Sequence, residues 1–364
     1  MRIFQVSSTQ PWYRARLERL TEGMTAYGDM IAAVHHDGWV GVHTLEPVLS
    51  REPGAFYTHA NNERIQRAWA REKGLPANVS LDEILFAQIE EHRPDVFYAL
   101  STAQMERRFV DRLPAGVKAR VGFNAAPKTD FDMSGVLVLC NIPSRIEKFR
   151  AEGLRSDYFT PSHAPVAEEF AANTKRDIDV VFAGTYSRHH VARSSYLDAV
   201  ARLQGRYNVV FALLQSRLNL LAETPLGWIG PLRKHARPQA IRQISRGPAF
   251  GRDYFELMSR SKIVFNGAPE LSADDRGNMR CWEALGVRSL MVSDAGNYPD
   301  GMKDGATIRT YRSPKEAVEV IEDALANPAR SQAIADAGYE MVRTRYSKQR
   351  QWDDFQKLVA AHFG

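Results

Sequence analysis

The chain has 364 residues, a length suited to two domains at roughly 100–200 residues each. With 44% hydrophobic and 25% charged residues it is neither a disordered nor a fibrous chain, and no stretch approaches the roughly 18 consecutive apolar residues of a membrane span. The formal net charge is +5, and all of it belongs to residues 161–364, because residues 1–160 hold 20 basic and 20 acidic side chains.

In chain order, the pattern predicts a strand over Arg2–Val6, a loop through Ser7, Ser8 and Thr9, and a helix marked by Tyr13, Leu17, Leu20 and Met24. The polar loop after this first strand argues against a signal peptide. Residues 35–75 read as irregular and are rich in His, Trp, Tyr and Arg. Ser80-Leu81-Asp82-Glu83 is a capping box that opens a helix ending before Pro94. Strands are expected at 96–100, 117–123 and 136–140, with a helix over 102–113. Residues 161–176 read as a proline-bearing linker between a first domain, 1–160, and a second, 177–346.

The second domain repeats the alternation, with strands at 178–183, 207–214, 262–266 and 289–293. Helices are expected at 190–204, 254–259 and 278–286, and from the capping box Ser313-Pro314-Lys315-Glu316 onward. The last residues, 347–364, form a C-terminal helix that is free to pack back on the first domain. Strands apolar on both faces, separated by amphipathic helices, specify an α/β fold with parallel sheets. Two doubly wound domains predict a cleft, with ligands at the carboxyl ends of the strands. Cys140 and Cys281, the only cysteines, provide no disulfide framework and suit a reducing cytoplasm.

The chemistry concentrates in Asn266–Gly286. Asn278 is the expected N-cap of a helix whose first N–H groups, Gly277 to Arg280 and including Met279, can hold a phosphate. Arg276 and Arg280 add guanidinium groups suited to bidentate phosphate contacts. Glu283, in the same helix, can accept hydrogen bonds from the vicinal hydroxyls of a ribose. Asp274 and Asp275 are acids ahead of a helix, which is also simple dipole complementarity. Nine basic residues against three acids over 217–262 strengthen the case for a small anion. A dense basic stripe for nucleic acid is absent, so no nucleic acid partner is expected.

The run Asn278-Met-Arg-Cys-Trp-Glu283-Ala-Leu-Gly286, followed by Ser293-Asp294, resembles the C-terminal signature of CgeB-like glycosyltransferases, within the group 1 class. The preceding 251–266 and the tail Asn327-Pro328, Ala337-Gly338 resemble the same family. The resemblance covers residues 178–350 and implies a GT-B fold of two Rossmann-like domains facing a central cleft. It implies transfer of a sugar from a UDP-, GDP- or dTDP-sugar to a hydroxyl of a glycan, glycolipid or surface polysaccharide. Retention at the anomeric carbon is implied, with no metal and no further cofactor. In the related family 4 enzymes two glutamates stand eight positions apart. Glu283 matches the ribose-binding one, and Asp275 stands where the sugar-contacting one is expected, with Glu270 as a rival. Gly184, Thr185, Tyr186 and Arg188 resemble the loop that borders the diphosphate. Gly247, Phe250 and Gly251 fall in the base-binding loop, and Arg233 and Lys234 (with Arg237) are candidates for the β-phosphate.

The first half is then the acceptor domain, with Ser7, Ser8, Thr9, Tyr57 and His59 as candidate contacts and His163 as a catalytic candidate at the cleft. The aromatic residues among these can stack on sugar rings, or can serve only as core. The histidines have no zinc-type spacing, and no metal site is expected. The basic helix Arg64–Lys73, which carries Trp69, leaves open a peripheral contact with the inner face of the cytoplasmic membrane and lipid-linked acceptors. An exposed cationic helix explains it equally simply. Alternatives of other classes are a sugar-nucleotide epimerase or phosphorylase of the same fold, and a non-catalytic sugar- or nucleotide-binding protein. The oligomeric state is not legible.

Overall fold

Each sheet forms because its central strands are apolar on both faces and are covered by helices. The computed structural model describes residues 1–126, 131–186, 191–228, 230–267 and 274–364. The chain divides into two compact units, Met1–Ser162 with Tyr346–Gly364, and His163–Arg345. Each contains one six-stranded, fully parallel sheet.

The first sheet comprises β1 (Ile3–Ser7), β2 (Ala55–His59), β3 (Val96–Ala99), β4 (Ala119–Phe123), β5 (Leu137–Cys140) and β6 (Ser156–Tyr158), in the order β2-β1-β3-β4-β5-β6. Every residue of β1 is buried. Its one amide, Gln5, is satisfied by donating to the His43 carbonyl at 3.2 Å and accepting from the Leu45 N–H at 3.1 Å. Strand order reverses between β1 and β3, so their carboxyl ends flank the crevice where ligands of open α/β sheets bind. The final helix, Lys348–Phe363, belongs to this unit and lays Phe355 against Tyr98 and Phe159, ring centres 4.9 and 5.8 Å apart. Lys348 is buried beside it. Its ammonium donates to the carbonyls of Gly41 at 2.5 Å and Thr44 at 2.6 Å and to Gln351 Oε1 at 3.2 Å.

The second sheet comprises β7 (Ile178–Thr185), β8 (Val209–Leu214), β9 (Ser245–Arg246), β10 (Ser261–Phe265), β11 (Leu290–Asp294) and β12 (Arg309–Tyr311), in the order β12-β11-β10-β7-β8-β9. Its reversal lies between β7 and β10. The core clusters Phe182, Phe211, Phe265 and Tyr311 beneath helices 191–201 and 314–326.

Several elements depart from the sequence reading. Residues 35–75, expected to be irregular apart from the basic helix Arg64–Lys73, which forms as Glu63–Glu72, also contain β2, because the alternation in Ala55–His59 is written in aromatic and polar residues. The expected helix 102–113 is a 3-10 turn, Thr102–Met105, and one helical turn, Arg107–Val110, separated by extended Glu106. The expected linker 161–176 holds the helix Pro165–Ala171, whose Val166, Ala167 and Ala171 are buried within the second unit. At 313–316 only half of the capping box forms: Ser313 Oγ accepts from the Glu316 N–H, while Glu316 turns to the N–H of Arg312. The tail splits into Pro328–Arg345 and Lys348–Phe363, the second capped by Ser347. The short edge strands β6, β9 and β12 have two or three residues each, too few for a period to register.

Lys348 provides a test of how the first unit is held. Replacing it with Ala strands two buried carbonyls, so Lys348→Ala is expected to destabilise the protein by about 2 kcal/mol in urea melts.

Candidate functional site

The carboxyl ends of β7 and β10 are bridged by one side chain. Arg280 begins the helix Arg280–Gly286 and reaches back across the sheet edge. Its Nη1 donates to Asn266 Oδ1 at 2.9 Å, and its Nη2 donates to the Ala183 carbonyl. The guanidinium lies 5.1 Å from the centre of the Phe182 ring. This crossing explains Gly184: a Cβ there would stand 3.0 Å from Arg280 Nη2 and 3.3 Å from the Phe182 ring.

Asn266, the residue after β10, is the hub. It is buried, donates to Ser293 Oγ at 3.0 Å, and exchanges hydrogen bonds with the amide of Asn278 at 2.9 and 3.3 Å. Its carbonyl accepts from Tyr311 OH at 2.6 Å. Asn278 therefore does not cap the helix with its side chain as expected. The N-cap position is Met279, with no side-chain cap, because the Asn278 amide is engaged by Asn266. Met279 is exposed beside it. The helix axis still ends at this edge of the sheet, and its first N–H groups precede the helical hydrogen-bond ladder.

Glu283 stands in the first turn, and Tyr254 OH donates to its Oε2 at 3.1 Å. Tyr254 comes from the helix Gly251–Ser259, which opens on Gly251 at φ 54°, a conformation suited to glycine. Burial raises the Glu283 pKa above the ordinary carboxylate range, with the Arg280 charge and the Tyr254 hydrogen bond opposing the shift. Asp275 is also buried, and its segment is clamped to Asn297: the Arg276 N–H donates to the Asn297 carbonyl at 2.9 Å, and the Asn297 N–H to the Asp274 carbonyl at 2.7 Å. Gly277 is buried within the same turn.

The other expected donor residues are placed unevenly. Arg276 is engaged by Asp294 at 2.6 Å and by the Asp275 and Ala295 carbonyls, so its guanidinium holds the loop. Thr185, Tyr186 and Lys234 line a cavity of about 320 Å³ with Leu214, Gln215 and His235. Arg233 is exposed on the adjacent turn, Gly230–His235. Arg237 forks onto Glu223 through bonds of 2.6 and 2.8 Å and is structural. Gly247 is exposed, and Phe250 is the extended residue before Gly251. Glu270 and Arg188 lie outside the described residues. His163, expected at the cleft, packs instead against Gly286, at the opposite end of the helix from Arg280, 2.7 Å from Glu168.

In the first unit all five expected acceptor residues meet at the ends of β1 and β2. Ser8 Oγ donates to Ser101 Oγ at 2.7 Å, which links the ends of β1 and β3 across the reversal. Ser7 pairs with His59 in the sheet. Thr9 Oγ1 and Tyr57 OH lie 3.0 Å from the two ring nitrogens of His59. Tyr57 and His59 are fully enclosed, and burial lowers the His59 pKa to about 3. These two therefore support Thr9 and the loop.

The sequence reading missed Asn266, Tyr254, Ser101 and Arg193. Arg193 donates to the Thr185 carbonyl at 3.2 Å and to its hydroxyl at 3.3 Å, at the same sheet edge. The available signal for Asn266 was a polar residue closing an apolar strand. Tyr254 and Arg193 are brought in by their helices, and Ser101 by the pairing of β3 with β1. Two Asp-x-Asp runs bear on metal binding. Asp177 and Asp179 pair with Arg260 and Lys262 at the far edge of the sheet, and Asp130 of the run 130–132 lies outside the described residues. Among the described residues no group of three or more His, Cys, Asp or Glu side chains is placed to hold a metal ion.

This geometry agrees with the comparisons. Residues 193–357 match the family described as glycosyl transferase-like. The chain has the GT-B glycosyltransferase fold. HepE of Anabaena, in complex with UDP and glucose, superposes with a TM-score of 0.58 at 13% identity, covering 99% of this chain and 100% of that one. A glycosyltransferase from Rickettsia africae gives 0.52 at 10% identity, covering 99% and 97%. Sucrose-phosphate synthase from Thermosynechococcus elongatus gives 0.53 at 9%, covering 100% and 99%. No curated protein matches the sequence significantly.

Two tests follow from the charges. Because folding raises the Glu283 pKa, this group's contribution to stability is greatest below the ordinary carboxylate range and is lost as pH rises through the shifted value. Glu283→Gln is therefore expected to raise the melting temperature of the ligand-free protein at pH 7 while weakening nucleotide binding, an opposition that paired melting and calorimetric titrations will read. His35, His43 and His59 have pKa values lowered by burial to about 4, 3 and 3. Their contribution is present above pH 6.5 and is lost as pH falls toward those values, so urea midpoints should decline over that window. His59→Asn should flatten part of the decline.

Proposed function

We propose that the protein transfers a sugar from a nucleoside-diphosphate sugar to a hydroxyl of a glycan or lipid-linked acceptor, and that it is a CgeB-like member of the group 1 class. The observation that carries this reading is the cluster of Arg280, Asn266 and Glu283 at the reversal between β7 and β10, beside a helix N-terminus. In this reading the helix N–H groups and Arg280 face the diphosphate, and the Glu283 carboxylate accepts from the ribose hydroxyls. UDP is the favoured nucleotide, since HepE is known in complexes with UDP and UDP-glucose. GDP- and dTDP-sugars remain alternatives set by the base contacts.

The bond from the anomeric carbon to the β-phosphate oxygen breaks as a bond to the acceptor oxygen forms. The departing diphosphate gains negative charge, which fixed N–H dipoles and a guanidinium stabilise without reorganising. The acceptor proton passes to the departing phosphate, on the same face of the sugar, so configuration is retained and no protein nucleophile is used. Neutralisation by fixed cationic groups favours a metal-independent reaction.

A thermal-shift series with UDP, GDP, dTDP and CMP tests the donor assignment. UDP at a hundredfold excess over Kd should stabilise the protein by about 2.7 kcal/mol. Failure of every nucleotide to shift the melt, together with no hydrolysis of any sugar nucleotide, would overturn it. Activity that EDTA abolishes and a divalent ion restores would overturn the metal-independent step alone.

A further inference from the structure

We propose that the exposed face of the helix Arg217–Ala222, with the basic turn Gly230–His235 beside it, is a docking surface for an anionic lipid membrane. The helix is inverted relative to an ordinary surface helix. At about 100° per residue, Leu220, Arg217, Leu221 and Leu218 fall on one arc, and Asn219 and Ala222 on the other. The leucines are the exposed side: Leu218 is 47% exposed, Leu220 52% and Leu221 47%. The polar residue faces inward, where Asn219 Nδ2 donates to the His235 carbonyl at 2.7 Å. Ala222 is buried. Among the described residues only seven large apolar side chains are exposed, and three of them share this single helix.

Charge identifies the occupant. Residues 217–246 carry six basic side chains and one acid. That acid, Glu223, is already bound to Arg237. Arg217, Arg233 and Lys234 are exposed, on the leucine helix and the turn tied to it. Leucines flanked by uncompensated cations fit the boundary between acyl chains and anionic headgroups. A polar protein surface would leave the leucines uncovered, and an apolar partner would leave the cations unmatched. The helix Glu63–Glu72 does not provide such a face. Its Trp69 is only 4% exposed, and Ile65, Ala68 and Ala70 are buried, so its apolar side is consumed by the fold of its own unit.

Sedimentation of the full chain with vesicles tests this. Vesicles of phosphatidylcholine with about 30% phosphatidylglycerol should bind the protein at low salt, pure phosphatidylcholine should not, and added salt should release it. Leu220→Ser with Leu221→Ser should lower partitioning about tenfold or more. Arg217→Gln should lower it about fivefold. None of these residues lines the cavity at Thr185, so the UDP melting shift should be unchanged in both variants. That readout also confirms folding and separates failure of this proposal from failure of the donor assignment. No binding to anionic vesicles, or equal binding by wild type and variants, overturns the proposal. Leucine-dependent self-association in light scattering without vesicle binding overturns it in favour of a second copy of the chain.

Discussion

The second unit depends on one side chain crossing a sheet edge. Arg280 ties the helix that carries Glu283 to the ends of β7 and β10. Two of its nitrogens donate to an amide oxygen and a carbonyl rather than to an acid, Nε has no hydrogen-bond partner among the described residues, and Glu283 feels its charge without a direct ion pair. The cation is therefore fixed in place and its field is left for a ligand. Gly184 and Asn266 are consequences of this arrangement. A Cβ on the first would crowd the guanidinium at 3.0 Å, and the second presents an amide oxygen where the strand ends.

Both sheets solve the same problem at their reversal points by different means. In the first, two small hydroxyls, Ser8 and Ser101, link the strand ends. In the second, a guanidinium and a helix terminus bring positive potential. The difference suits a neutral hydroxyl-bearing ligand on one sheet and an anion on the other. The charge distribution runs the same way, balanced over residues 1–160 and basic beyond. Part of that basic excess lies away from the reversal. Arg237 and Arg276 are consumed by Glu223 and Asp294, and Arg217 stands out on the leucine helix.

Buried ionisable groups mark where the fold pays for position. Glu283 is half-buried in a poorly solvated turn, where Tyr254 donates to it and the nearby Arg280 charge partly offsets the cost of its ionisation. Lys348 is buried among carbonyls to seat the last helix on the first unit. His59 is locked between Thr9 and Tyr57, where its low pKa keeps it neutral and suits it to holding a loop.

The sequence by itself determined the parallel sheets, the alternation of helices, and the segment from Asn266 to Gly286 that bears the candidate site. These follow from local periodicity and from the chemistry of Glu, Arg and Gly at short spacing. Only tertiary structure decided which cations are spent. Arg276 and Arg280 are equivalent in the sequence, but one meets Asp294 and the other a carbonyl and an amide. Asn278 reads as a cap until Asn266, twelve positions earlier, takes its side chain. Tyr254 joins Glu283 because two helices pack, and the leucines of 217–222 face outward because Asn219 turns inward to the His235 carbonyl. Such contacts depend on partners distant in the chain, and a local pattern carries no information about them.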